Sequence, residues 1–213
     1  MVLASVEKTN QIPLWLKILA TCFLCVFVPV YWIKRGPANF LWFCDIALIV
    51  VTIALWMESR FLISMMAVSI LLPELVWSVD YFGRLLTGSH LFGLGATSYM
   101  FNEKIPVVIR VLSFIFHIYL PVILLWTLYR LRFHEKSWIA QTALAWVVLP
   151  LCFWFTDPVA NINWVFGPGP TPQQWLPGPF YLVLLMILLP LLIYLPSHYL
   201  FKRLFSEEKE PDT

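Results

Sequence analysis

The sequence predicts an all-α, polytopic membrane protein, a single-domain bundle of six transmembrane helices with its N-terminus and C-terminus in the cytoplasm. Charged residues make up 12% of the 213-residue chain and apolar residues 61%. A soluble domain carries about 25% charged and 45–50% apolar residues, so lipid must solvate much of this surface. The mean hydropathy is +0.81. Six stretches are long and apolar enough to cross about 30 Å of hydrocarbon.

The predicted spans follow one another through short connections, with two exceptions. We place the spans at about residues 14–33, 39–57, 61–86, 105–129, 137–155 and 179–201. The fifth and sixth contain no Asp, Glu, Lys or Arg, and the third exceeds the length that the bilayer requires, so we expect it to tilt or project. The two longer loops, residues 87–104 and 156–178, are rich in Gly, Ser, Pro and Asn.

The distribution of Lys and Arg predicts the orientation. With the N-terminus inside, nine basic residues fall on the cytoplasmic side and four on the other, which follows the positive-inside rule. The nine are Lys8, Lys17, Arg60, Arg130, Arg132, Lys136, Lys202, Arg203 and Lys209, and the four are Lys34, Arg35, Arg84 and Lys104. Both long loops then lie outside. We expect the protein in the plasma membrane, the inner membrane of a bacterium.

Net charge and cysteine content exclude several partners and cofactors. The net charge of +2 is small and scattered, so we expect membrane lipids and no nucleic acid as partners. Cys22 and Cys25 form a C-x-x-C pair, but no further ligands lie nearby in the sequence, so we predict no metal site and no cofactor. The oligomeric state stays open.

Six ionisable residues inside the second, third and fourth predicted spans lie in one half of the membrane. Each costs at least about 2.5–3.5 kcal/mol to insert and therefore indicates a functional site. All of them lie between the predicted outer boundary and the midplane, while the inner half is almost purely apolar: Asp45, Glu74, Asp80, Arg84, Arg110 and His117. This asymmetry predicts a polar site beneath the two outer loops.

Helical spacing assigns candidate roles within that site. Arg110 and His117 share one face of the fourth span, while Asp80 and Arg84 form an i, i+4 pair that we expect to be neutralised internally. Asp45 needs a partner, for which Arg110 or His117 is the natural candidate. A carboxylate beside an imidazole orients the ring for acid–base catalysis. The alternative is that these ion pairs only fix the register of the helices.

Binding residues are predicted at the same end. Arg110 is a candidate for an anionic headgroup, and Glu74 directly follows Pro73, where the helix is expected to bend. In the second long loop, Asn161 and Asn163 are candidates for a strip that binds a headgroup. The structural alternative for this loop is a set of turns that cap the fifth span.

Three stretches of the chain carry a family resemblance. They resemble the Leu-x-x-Cys-Asp, NINWVFGP-like and Leu-Pro-x-His stretches of an uncharacterised bacterial family of multi-pass membrane proteins, and they are Leu41–Asp45, Asn161–Pro168 and Leu195–His198. The resemblance extends over most of the chain and implies no activity.

A more distant similarity is to six- and seven-helix membrane lipid hydrolases and acyltransferases. These include the androgen-induced family of threonine hydrolases and relatives that use a Cys followed by a polar residue. Cys44-Asp45, and His117 four residues before Pro121, are the points of contact. Position 42 is Trp, where an active member is expected to have a hydroxyl or an imidazole. The similarity implies Cys44 as nucleophile.

The favoured interpretation is an enzyme that modifies a lipid or acyl substrate from the outer leaflet. His117 would be the general base, Asp45 its orienting group, Cys44 the nucleophile and Arg110 the headgroup ligand. One alternative is a carrier or binding protein for a small polar solute, which the apolar inner half disfavours. The other is a non-catalytic accessory subunit in which the polar groups only pack the bundle.

Overall fold

The computed structural model describes residues 11–90, 95–169 and 171–205, and over these ranges every regular element is a helix. The all-α prediction is therefore confirmed. The α-helices are α1 (Leu14–Arg35), α2 (Phe43–Met57), α3 (Arg60–Thr87), α4 (Val107–Leu131), α5 (Ser137–Phe155), α6 (Gly178–Leu189) and α7 (Leu195–Phe205). A π-helical turn, Pro190–Tyr194, joins α6 to α7, and short 3-10 helices occupy Pro37–Leu41, Ser98–Phe101 and Ile162–Trp164.

Five helical stretches are long and apolar enough to cross a membrane. They are α1, α3, α4, α5 and the continuous stretch Gly178–Phe205. Their outer surfaces expose large apolar side chains, such as Trp15 and Phe155, which lipid solvates. These are the features of an integral membrane protein. The remaining predicted span, α2, has 15 residues, which is short against the roughly 20 that a bilayer crossing takes.

Helix α3 is the centre of the bundle and packs against α2, α4, α5 and α7. Its long loop to α4 and the loop from α5 to α6 lie together at one end of the bundle, here called the loop end. The tight α2–α3 and α4–α5 turns lie at the opposite end, here called the turn end.

The turn end is held by hydrogen bonds between distant segments of the chain. Glu58, in the left-handed conformation (φ 49°), closes α2 and accepts from Lys17 Nζ at 2.8 Å and from the amide of Gln11 at 3.1 Å. Arg60 donates to the carbonyl of Phe133, whose own amide donates to Phe205 O. The end of α2 therefore lies beside the beginning of α1.

The half of the bundle nearer the turn end is less apolar than the sequence predicted. Gln141 of α5 is fully buried and donates to Ser69 Oγ at 2.8 Å. The hydroxyl of Tyr194, in the π-helical turn, lies 3.5 Å from the same amide. Serine and glutamine side chains carry no formal charge, so the pattern of ionisable residues does not predict this contact between α3, α5 and the last helix.

Candidate functional site

A cavity of about 730 Å³ lies in the loop-end half of the bundle, within the size range of small-molecule sites. Its walls come from α1, α2, α3, α4 and α6 and from the two long loops. Most of the lining is aliphatic or aromatic. The polar exceptions are concentrated where α2, α3 and α4 meet, and they include four of the residues predicted from the sequence: Cys44, Asp45, Glu74 and His117.

Cys44, Glu74 and His117 come together on the cavity wall. One reactive atom from each, the thiol sulfur, a carboxylate oxygen and a ring nitrogen, all lie within 4.8 Å of one another. His117 Nδ1 is 2.6 Å from Glu74 Oε2, and both side chains are buried. The sequence placed these residues in the same half of the membrane in three different spans, and the fold brings them to one point.

The imidazole of His117 is fixed by its neighbours on α3. Trp77 lies three residues after Glu74 and therefore on the same face of that helix. Its ring stacks on the His117 ring with centroids 4.2 Å apart and an interplanar angle of 14°. Pro73 lacks an amide hydrogen and removes one helical hydrogen bond directly before Glu74. The ring is therefore held by the carboxylate at its edge and by the indole across its face.

Cys44 is the second residue of α2, at the positive end of the helix dipole. The first amides of a helix lack intrahelical acceptors. Here the amide of Phe43 donates to Asn163 Oδ1 at 2.9 Å, and that of Ile46 donates to Trp42 O at 2.9 Å. The amides of Cys44 and Asp45 both hydrogen-bond the Cys44 sulfur, so two N–H donors lie beside it.

Asp45 lines the same cavity, but its hydrogen bonds go to residues other than the expected ones: the Cys44 thiol donates to its Oδ1 at 4.0 Å. Asn39 Nδ2 donates to Asp45 Oδ2 at 2.5 Å. His117 is paired with Glu74 instead of with Asp45, because α3 presents Glu74 to the ring while Asp45 faces the 3-10 segment Pro37–Leu41. The orienting carboxylate is thus Glu74, which the sequence had placed among the binding residues.

Arg110 does not reach the cavity. Its Nη1 donates to Met100 O at 3.4 Å, and its buried Nε has no acceptor among the described residues. Between it and His117, Ser113 forms a 2.6 Å hydrogen bond with the hydroxyl of Tyr99. The predicted headgroup role of Arg110 therefore has no geometric support. The guanidinium that lines the cavity belongs to Arg35, which is exposed at the end of α1.

The two loop asparagines have different partners. Both have positive φ, 42° for Asn161 and 51° for Asn163, a conformation that Asn tolerates better than most residues. Asn161 donates to the carbonyls of Gly167 and Gly169 and thus holds its own loop. Asn163 accepts from the Phe43 amide and donates to a carbonyl just before α2, and it lines the cavity. Asn163 therefore fixes the start of the helix that carries Cys44.

The other long loop is anchored by Asp80. Its Oδ2 accepts from Thr97 Oγ1 at 2.6 Å and lies 2.9 Å from His90 Nδ1. The sequence predicted Arg84 as its partner, whereas the guanidinium of Arg84 contacts His90 and lies over the Phe101 ring. The loop is thereby held so that its neighbouring residues cover the cavity.

Three aromatic residues of the site were missed by the sequence reasoning, since it followed ionisable groups. They are Tyr31, Trp77 and Tyr99. Burial raises the pKa of Tyr99 well above its ordinary value of 10.0, so its hydroxyl stays protonated. A tyrosine in a predicted outer loop of an otherwise apolar chain was the available signal.

Comparison with models of protein families, with curated proteins and with solved structures finds no match to this chain. The two resemblances drawn from its motifs therefore remain predictions. What the chain does has to be argued from the geometry of the cavity.

Proposed function

We propose that the protein is a membrane-embedded acyl hydrolase or acyltransferase acting on a lipid, with Cys44 as its nucleophile. The observation that carries this proposal is the meeting of a thiol, an imidazole and a carboxylate within 4.8 Å on the wall of a cavity. Nucleophile, base and orienting group in mutual reach are the signature of covalent acyl transfer.

Each group has a role in the proposed reaction. Glu74 accepts the Nδ1 hydrogen of His117, which leaves the lone pair of Nε2 free to take the proton of the Cys44 thiol. The sulfur attacks the acyl carbonyl carbon, the bond to the leaving alcohol breaks, and His117 returns the proton to that alcohol. Water or a second acceptor hydroxyl then attacks the thioester, and its proton passes to the sulfur by way of His117.

The developing negative charge also has donors in place. In acyl transfer the carbonyl oxygen becomes an oxyanion, and pre-oriented N–H groups stabilise it. The amides of Cys44 and Asp45 suit this role because they lie beside the sulfur at the positive end of α2. Asp45 then acts through the main chain and through its bond to Asn39, not as the partner of His117.

A divalent cation is the competing use of the same three ligand types. Two ligands of a tetrahedral zinc ion lie about 3.3 Å apart, since each is about 2.0–2.1 Å from the metal. His117 Nδ1 and Glu74 Oε2 are 2.6 Å apart, the distance of a hydrogen bond. This distance favours an acyl-transfer site over a site in which both groups coordinate one metal ion.

The proposal includes a place in the membrane. We assign six spans, with α2 and its preceding 3-10 helix as the second, both termini in the cytoplasm and the loop end outside. The hydrogen bonds that Glu58 accepts from Lys17 and Gln11 support this, because the chain returns to the level at which α1 begins. The bacterial inner membrane rests on the family resemblance alone.

The test is covalent labelling of Cys44 in protein reconstituted into phospholipid nanodiscs. An alkyl chloroacetamide, which alkylates thiols, is expected to label Cys44 in the wild type and to lose that label in Cys44→Ala. Cys25→Ala is the matched control, since this cysteine is exposed on α1 away from the cavity.

His117→Gln separates catalysis from simple exposure. The proposal expects slower labelling of Cys44 in this variant and no turnover of a phospholipid or long-chain ester. Labelling at the wild-type rate, or turnover that persists in Cys44→Ala, would overturn it. A lipid comparison of cells with and without the protein then identifies the ester that accumulates.

A further inference from the structure

We propose that the acyl chain of the substrate reaches Cys44 sideways from the bilayer, through a cleft between α3 and α6. This inference rests on the proposed function and names its substrate class, a membrane lipid with a long acyl chain. The lateral cleft is lined by residues from both helices: Leu72, Pro73, Val76, Leu185, Leu189 and Ile193.

The packing of the helices creates the cleft. Helix α3 packs against α7 and against the π-helical turn, whereas α6 packs against α5. Because α7 is the turn-end part of the last helix and α6 its loop-end part, the two long helices meet at the turn end and separate toward the loop end. The contact of Gln141 with Ser69 and Tyr194 closes the cleft on the side nearer the turn end.

The α6 wall is a continuous apolar stripe. Leu185, Leu189 and Ile193 are spaced by four residues and share one face of the helix. All three line the cavity, yet each is only partly buried. If a neighbouring helix packed along this face, the three side chains would be buried. They therefore border an open space, whose opposite wall is formed by the apolar residues of α3.

The α3 wall is exposed from outside the bundle. Val76 is 40% exposed and Pro73 is also exposed, although both line the cavity that holds Glu74. The adjoining surface consists of Leu75 (60% exposed) and Val79 (40% exposed), which belong to the lipid-facing side of the helix. The cavity therefore opens toward the membrane between these residues and α6.

The second opening has a different chemistry. At the loop end the rim carries Arg35, Asn39 and Asn163, and Ala160 is exposed there. A site with a polar rim in the loops and an apolar slot facing lipid matches an amphiphile: the headgroup lies at the rim, and the chain lies in the slot. A small polar solute has no apolar part that would fill this slot.

The experiment fills the cleft and compares two substrates. Leu189→Trp and Val76→Trp place an indole in the slot, and Leu188→Trp is the control, because Leu188 is an exposed neighbour that does not line the cavity. We expect each filling variant to lower turnover of a long-chain phospholipid in nanodiscs by at least about tenfold, the scale at which pockets discriminate chain size. Turnover of a water-soluble acetyl ester, which enters by the polar rim, stays within about twofold.

Two outcomes overturn the inference: an equal fall for both substrates, or no fall for the phospholipid. A phospholipid with a photoreactive group on its acyl chain gives a second measurement that does not need catalysis. In Cys44→Ala it is expected to crosslink to α3 or α6 peptides, and Leu189→Trp removes that crosslink. Crosslinks confined to other helices contradict the cleft. Failure of the proposed function alone appears instead as crosslinking at the cleft without any turnover.

Discussion

His117 is held in the membrane by Glu74 at its edge and by Trp77 across its face, within reach of the Cys44 thiol. A buried carboxylate and imidazole at 2.6 Å stabilise each other, since either one alone would lose its hydration without compensation. The pair therefore has a structural effect whatever the chemistry. The two roles separate only when a substitution keeps the hydrogen bond and removes the negative charge that stabilises the imidazolium.

Glu74→Gln provides that separation. The amide oxygen can still accept from Nδ1, so the fold is kept, but the carboxylate that stabilises the imidazolium is lost. We expect kcat to fall by a factor on the order of 10⁴, the loss seen when the orienting acid of a triad is removed. Asp45→Asn is the comparison and is expected to keep kcat within about tenfold, because Asp45 contacts Asn39 and the thiol but not the imidazole. Steady-state turnover of a long-chain ester measures both, and the reverse order of effects contradicts the assignment.

For single residues, the sequence could predict the depth of an ionisable side chain in the membrane but not the side chain with which it pairs. Counting 1.5 Å per residue along helices placed Asp45, Glu74 and His117 in the same half of the membrane. Which carboxylate meets the imidazole depends on how α2 and α3 are rotated about their axes, and side-chain packing sets that rotation. A hydropathy profile contains no information about this rotation. The same limit explains Arg110, whose guanidinium turns toward Met100 O rather than into the cavity.

Among the elements, α2 is positioned at both ends by other parts of the chain. At its start Asn163 binds the Phe43 amide, and at its end Glu58 binds Lys17 and two amides of the segment before α1. The bounds of α4 and α5 agree with the predicted spans to within two residues. The 3-10 turn that carries Asn163 and the π-helical turn after Leu189 were not predicted, because positive φ and an inserted residue leave no hydrophobic period.

Asn163→Ala tests the fixation of α2 by the outer loop. The Phe43 amide and the Leu41 carbonyl both lose their partner, which costs about 1–3 kcal/mol for buried groups. Because these groups set the position of Cys44, we expect slower alkylation of that thiol together with a lower Tm. Asn161→Ala is the control: its bonds stay within its own loop, so Tm falls while the alkylation rate is retained. Equal alkylation rates in the two variants would show that the loop does not position the nucleophile.

Glu58→Gln tests the other end of α2. Burial alone would raise the pKa of Glu58, but hydrogen bonds from Lys17 and from the amides of Gln11 and Ile12 lower it below its ordinary value of 4.5. A lowered folded-state pKa means that the stabilisation is fully present above the unfolded-state value and is lost as pH falls through the folded-state value. We expect Glu58→Gln to cost about 1–3 kcal/mol near pH 7.

The pH dependence distinguishes this charge effect from a packing effect. The difference in Tm between wild type and Glu58→Gln, measured in detergent, is expected to shrink as pH falls below about 4.5 toward 3. A difference that is the same at both ends of this range would assign the loss to packing of the side chain rather than to its charge.

For the whole molecule, the decisive property is which side of the membrane the loop end faces, since this sets the leaflet that supplies the substrate. The basic residues of the described turn end, among them Arg60, Arg130 and Lys136, favour a cytoplasmic turn end. The number of membrane crossings depends on helix α2. Its 15 residues span about 22 Å, so the proposed sixth crossing needs further rise from the 3-10 helix before it.

Labelling of single cysteines with a membrane-impermeant maleimide decides the orientation. In a background without native cysteines, Glu103→Cys and Thr171→Cys report on the loop end and Glu135→Cys on the turn end, all at exposed positions. Six spans with a cytoplasmic N-terminus make the first two reactive in intact cells and the third reactive only after permeabilisation. If the N-terminus lies outside instead, the whole bundle is inverted and the labelling pattern reverses. The cavity would then open to the cytoplasm, and its lipid would come from the inner leaflet, while the reactive cluster and the lateral cleft would be unchanged.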